Sequence, residues 1–116
     1  MVDFAWTWPD SLDALAAAPG FHRVIFESEA VRVLDTRIGP GETTDLHTHR
    51  WPSALYVLSS AHFVRRDGDG DVLVDTRKGA PLPEPGTVVW TDPLPPHTLE
   101  NVDTSAIHLI GFELKR

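Results

Sequence analysis

Residues 41–49 read Gly41-Glu42-Thr43-Thr44-Asp45-Leu46-His47-Thr48-His49. The stretch follows a Gly39-Pro40 turn signal and ends on a His-x-His pair. Side chains two apart in an extended segment project from one face, so His47 and His49 are expected to point the same way. A third histidine, His97, follows 48 residues after His49. Supplied by a distant strand, it would complete a three-nitrogen shell for a divalent cation.

Working outward, the 116-residue chain is long enough for one domain with a modest core. Hydrophobic residues make up 41% and charged residues 23%, the balance of an ordinary soluble globule. Without cysteine there are no disulfides and no thiolate ligands, so a metal must be held by His, Asp, Glu or backbone oxygen. The net charge of -7 argues against nucleic acid, because no basic stripe can replace counterions. Arg65-Arg66 and Lys115-Arg116 are the clusters of positive charge, and both read as solvated ends. No run approaches the about 20 apolar residues of a membrane span. Asp3, Asp10 and Asp13, with no basic n-region, argue against a signal peptide, so a cytoplasmic location is expected.

From Pro9 to Gly20 the sequence PDSLDALAAAPG predicts a short helix, capped by Asp10 or Ser11 and stopped by Pro19-Gly20. The remainder predicts strands at 21–27, 30–38, 43–49, 54–67, 71–77, 87–91, 97–102 and 106–114. Turn signals separate them, and Asp67-Gly68-Asp69-Gly70 is the strongest hairpin tip. Asp-Thr-Arg occurs at both 35–37 and 75–77, an echo short enough to arise by coincidence. Many short strands in one small domain predict an all-β closed barrel or two-sheet jelly roll. The boundaries expected are an N-terminal helical segment, 1–20, and a barrel, 21–116.

Gly41 stands six residues before His47, Gly86 stands eleven before His97, and Asn101 follows His97 by four. These spacings resemble the two signature motifs of the cupin superfamily. The first motif runs Gly, five residues, His-x-His, three or four residues, Glu, six residues, Gly. The second runs Gly, five residues, Pro-x-Gly, two residues, His, three residues, Asn. The resemblance covers roughly residues 30 to 115 and implies a double-stranded β-helix. Three positions depart from the pattern. Ser53 (or Ala54) stands where the family has its glutamate ligand, Ser60 replaces the closing glycine, and Asp92-Pro93-Leu94 replaces Pro-x-Gly.

With His47, His49 and His97 as ligands the cation would keep its full charge and open positions for a chelating anion. Among cupins, a three-histidine shell resembles the thiol dioxygenases and β-diketone-cleaving enzymes, which implies non-haem Fe(II) chemistry. Imidazole suits Fe, Ni, Cu and Zn alike, so the metal stays open, with Fe expected and Zn, Mn or Ni as alternatives.

Asp45 shares parity with His47 and His49. If inward, it would orient a histidine, act as general base or replace the missing ligand; otherwise it is a solvated carboxylate. Ser53 should face inward and hold water or substrate, or simply fill the core. Trp51 is a candidate wall of the pocket mouth, and Arg37 a candidate anchor for a substrate carboxylate. Asn101 reads as structural; His22, His62 and His108 read as structural or surface residues; Tyr56 should face away from the interior.

The function expected is a metal-dependent enzyme, dioxygenase-like, acting on a small anionic organic substrate. Two alternatives stand beside it: a non-redox lyase, isomerase or cyclase, and a non-catalytic ligand-binding module. A homodimer is the expected assembly, with Phe4, Trp6 and Trp8 as interface candidates.

Overall fold

A computed structural model describes residues 6–79 and 81–115. Phe4, one of the interface candidates, lies outside them, while Trp6 and Trp8 pack edge to face on each other with centroids 4.8 Å apart. The expected N-terminal helix is present but short and capped differently. A 3-10 turn at Asp10–Leu12 precedes α1 (Ala14–Ala17). Asp13, rather than Asp10 or Ser11, caps α1 by accepting from the Leu15 amide at 3.0 Å. The alanine side of α1 needs little room, and Ala14 and Ala18 are completely buried.

Nine strands follow among the described residues: β1 (His22–Glu27), β2 (Val31–Ile38), β3 (His47–His49), β4 (Ser53–Ser59), β5 (Phe63–Asp67), β6 (Val72–Asp75), β7 (Val88–Thr91), β8 (Leu94–Asn101) and β9 (Ile107–Leu114). They form a five-stranded sheet, β1-β2-β9-β4-β7, facing a four-stranded sheet, β3-β8-β5-β6. Every pairing is antiparallel. This is the two-sheet jelly roll that the strand spacing predicts. No described helix is long and apolar enough to cross a membrane.

The run expected as one strand at 54–67 breaks into β4 and β5, which belong to different sheets. The corner between them is pinned at His62. Its amide donates to Asp103 Oδ2 at 3.0 Å, and its carbonyl accepts from the Val102 amide at 3.0 Å. Ala61 drops into the core there, beside Ile38 and Ile107. Apolar periodicity alone cannot show such a change of sheet.

Both motif glycines sit at left-handed backbone, Gly41 at φ 77° and Gly86 at φ 88°, where a side chain would be strained. Asn101 closes the same end of the barrel. Its side-chain amide donates to the Ile38 and Ser105 carbonyls at 2.9 and 2.8 Å, and its Oδ1 accepts from the Asp103 amide at 2.9 Å. Its structural reading stands.

Side-chain alternation divides the larger sheet cleanly. Leu34, Thr36 and Ile38 of β2 line the interior, while Arg37 projects into solvent. Tyr56 faces outward as expected. Phe26, Phe112 and Trp90 fall in one cross-strand row with Val33 and Ala54 and remain exposed.

Candidate metal centre

The site is built where β3 meets β8. His47 lies directly opposite His97, whereas His49 lies opposite Leu94, so β8 carries one extra residue in that interval. Pro95 and Pro96 occupy the bulge. They have no amide to donate, and they are tolerated because β5 pairs with β8 only from His97 onward. His47 and His49 share a face by alternation, and His97, directly opposite His47, shares it too. Their ring centroids lie 4.4 Å (His47–His97), 4.9 Å (His47–His49) and 5.5 Å (His49–His97) apart.

A fourth imidazole joins them. His22, expected to be structural or superficial, is buried on β1 with its ring 4.8 Å from that of His47 and 5.4 Å from that of His49. Ligand nitrogens of His22, His47 and His49 all lie within 4.8 Å of one another. No sequence motif contains His22. The facing of the two sheets brings it in, and that contact has no local signal.

Each ring has its Nδ1 occupied. His47 Nδ1 donates to the Asp45 carbonyl at 2.7 Å, His97 Nδ1 to the Pro95 carbonyl at 2.7 Å, and His22 Nδ1 to the Ala18 carbonyl at 3.1 Å. A carbonyl can only accept, so these three rings carry the proton on Nδ1 and keep the lone pair on Nε2. His49 Nδ1 lies 3.4 Å from Glu113 Oε2, a longer contact to a carboxylate. Burial pulls His22, His49 and His97 down to about 3, with charge repulsion among the imidazoles adding to it. Burial also lowers His47. All four are therefore neutral near pH 7, the form that binds a cation.

Glu113 is a site residue that the sequence reading missed. It lies on β9 between Arg32 of β2 and Ser53 of β4, its direct partners across the sheet. The carboxylate is buried and accepts from Arg32 Nε at 2.6 Å. Arg32 in turn donates through both terminal nitrogens to Asp13, at 3.0 and 2.9 Å. An unbroken line of contacts thus runs from the α1 cap to His49. A glutamate near the end of a β-like run has no signal that separates it from a surface residue.

The other expected site residues fall as follows. Ser53 is buried, lines the interior cavity and donates to the Trp51 carbonyl at 3.3 Å. Asp45 does not face inward. It is exposed, because β3 begins only at His47 and parity does not extend back through the loop; its contribution is the carbonyl that holds His47. Trp51 does not wall the cavity but lies on the far side of Arg32, whose guanidinium sits 5.0 Å from the ring centroid. Arg37 is exposed, pairs with Asp35 at 3.2 Å and does not line the cavity. His62 bonds Thr76 Oγ1 at 3.0 Å and His108 bonds Asp35 at 2.9 Å, both outside the cluster.

The histidines open onto a cavity of about 600 Å³ between the two sheets, walled by apolar side chains such as Leu34, Leu55, Val57, Phe63, Leu99 and Leu109. Among the described residues, its ionisable lining groups besides the four histidines are Glu113 and Arg65.

No family model matches this chain, and no curated protein does. Solved structures do. A cupin domain from Bordetella pertussis Tohama I superposes with a TM-score of 0.66 at 17% identity, covering 82% of this chain and 92% of that one. An RmlC-like cupin with a double-stranded β-helix from Methanocaldococcus jannaschii gives a TM-score of 0.54 at 12% identity, covering 98% and 92%. The polyketide cyclase RemF from Streptomyces resistomycificus gives 0.54 at 16%, covering 82% and 64%. The fold is that of a cupin, a double-stranded β-helix. Within it, His22, His47 and His49 could hold a metal ion, and Ser53 lies directly opposite Glu113 beside them.

Proposed function

We propose that this chain is a metal-dependent enzyme acting on a small chelating organic anion, with non-haem Fe(II) dioxygenase-like activity. The observation that carries the reading is the orientation of the rings: Nδ1 of His22, His47 and His97 is committed to a carbonyl, which leaves Nε2 for a cation. Two nitrogens on opposite sides of one ion lie about 4.2 Å apart, twice a bond of about 2.1 Å. The nitrogens of His22, His47 and His49, within 4.8 Å of one another, therefore need only a small inward adjustment. His47, His49 and His97 would hold the ion, His97 lying outside that 4.8 Å group but facing His47 with ring centroids 4.4 Å apart, and His22, inside the group, supplies a fourth imidazole.

Bound there, Fe(II) would supply Lewis acidity toward the anion and a means of engaging dioxygen. The chain does the rest. The carbonyls of Ala18, Asp45 and Pro95 fix the ring tautomers. Ser53 adds no negative charge, and the Glu113 charge is already shared with Arg32, so charge compensation is left to the substrate. The apolar walls would bury the organic body of the substrate beside the histidines.

The test is oxygen uptake by the iron-reconstituted protein with thiol carboxylates, β-diketones and phenolic acids. Uptake that needs both iron and one of these substrates, and that His47→Ala abolishes, is the expected result. No uptake with any of them overturns the dioxygenase reading. Glu113 favours a second reading, because a buried carboxylate beside His49 is placed to move a proton in a lyase, isomerase or cyclase using Zn, Mn or Ni. Oxygen-independent turnover by a zinc-loaded protein would select it.

A further inference from the structure

Arg65 is the ionisable group of the cavity that the metal centre does not use. It sits on β5 and lines the same space as the histidines. Its Nε is buried and has no hydrogen-bond partner among the described residues. The neighbouring Arg66, on the opposite face of the strand, is paired with Glu100 at 2.9 Å. Arg32 has two carboxylates, Asp13 and Glu113. Among the described residues the only acid lining the cavity is Glu113, and its oxygens already face Arg32 and His49. Arg65 therefore has no acidic partner among the described lining residues. A guanidinium stays charged near neutral pH even when burial lowers its pKa, as it does here. A half-buried guanidinium whose Nε is buried and unmatched, lining an apolar cavity, is the complement of an anion.

The register gives the distance to the histidines. Arg65 lies opposite Leu99, two residues after His97 on β8. Arg65 and His97 are thus diagonal neighbours on one face, with Cα atoms about 7–8 Å apart. One small ligand can span from the guanidinium to the imidazoles. A single monovalent fork balances a monoanion, and Nε with its adjacent Nη matches the two oxygens of a carboxylate.

We infer that Arg65 anchors an organic monocarboxylate with an apolar body, its carboxylate on the guanidinium and a second donor atom turned toward the histidines. The second half of this statement rests on the metal-centre reading above; the first half rests on the cavity alone.

The experiment is calorimetric titration of the metal-free, EDTA-treated chain with 3-phenylpropanoate and with octanoate, each against its primary amide. Metal uptake by each variant is measured in parallel. The expected result is binding of the acids and not the amides, weakened about 10-fold or more by Arg65→Gln and partly restored by Arg65→Lys. Arg66→Gln should leave affinity unchanged. Arg65→Gln should fold as well as the parent, since it removes a half-buried charge that no acid of the cavity lining pairs. Equal affinity for acid and amide, unchanged affinity in Arg65→Gln, or no binding of either acid at millimolar concentration each overturns the anchor. If the acids bind as expected but no variant or parent takes up metal, the anchor stands and the metal-centre reading falls.

Discussion

His47 and His97 face each other across the β3–β8 pair, and each donates Nδ1 at 2.7 Å to the carbonyl two residues before it. The same local device, used on two strands, presents two equivalent Nε2 lone pairs across 4.4 Å between ring centroids. Removing either ring should therefore cripple metal uptake alike. His47→Ala and His97→Ala are expected to lower affinity by about 100-fold or more, as loss of a first-row ligand does. His22→Ala, checked in the same competition titration against a chromophoric chelator, should cost less, about 10-fold. Equal losses at His22 and His97 would instead place all four imidazoles on the ion.

Acid should loosen the metal-free chain. His22, His49 and His97 titrate at about 3 in the folded state because burial disfavours the cation. In the unfolded chain they titrate near 6.5. Between those values the unfolded chain binds more protons, so stability is full above pH 6.5 and is lost as pH falls toward 3. Thermal unfolding of the metal-free chain should show Tm falling continuously from pH 7 to pH 4. His22→Gln, which removes one titrating ring, should flatten that slope.

Glu113 joins stability to the site. It accepts from Arg32 at 2.6 Å and approaches His49 at 3.4 Å. Glu113→Gln leaves Arg32 with Asp13 alone and weakens the hold on the His49 ring. A loss of about 1–3 kcal/mol in stability is expected, together with about 10-fold weaker metal binding. Urea unfolding and metal titration measure the two separately. Unchanged metal affinity beside lowered stability would confine Glu113 to a structural role.

Much of this site could be read from the sequence, and the boundary has physical causes. The Gly41–His47–His49 and Gly86–His97–Asn101 spacings carry the architecture because each is local: a left-handed glycine, a strand entry and a side-chain parity. His22, Glu113 and Arg65 were illegible because their relevance comes from two sheets facing each other and from which register pairs with which. Asp45, Trp51 and Arg37 were misplaced for a related reason. Parity holds within a strand, and Asp45 and Trp51 lie just beyond the ends of β3. Arg37 lies on β2, but its neighbours Thr36 and Ile38 take the inward positions.

The exposed carboxylate of Asp45 gives a sharp contrast. Its carbonyl, not its side chain, holds His47, so Asp45→Asn should leave metal affinity and stability unchanged. Ser53→Glu should do the opposite. Ser53 is buried directly opposite Glu113, so a glutamate there sets two carboxylates side by side in a site poor in water. Without metal the repulsion should lower Tm by several degrees; with metal the added carboxylate becomes a ligand, and Tm should recover beyond that of the metal-loaded parent. Differential scanning calorimetry with and without a divalent ion reads both arms. A Ser53→Glu chain equally destabilised in both states would mean that the ion does not sit within reach of position 53.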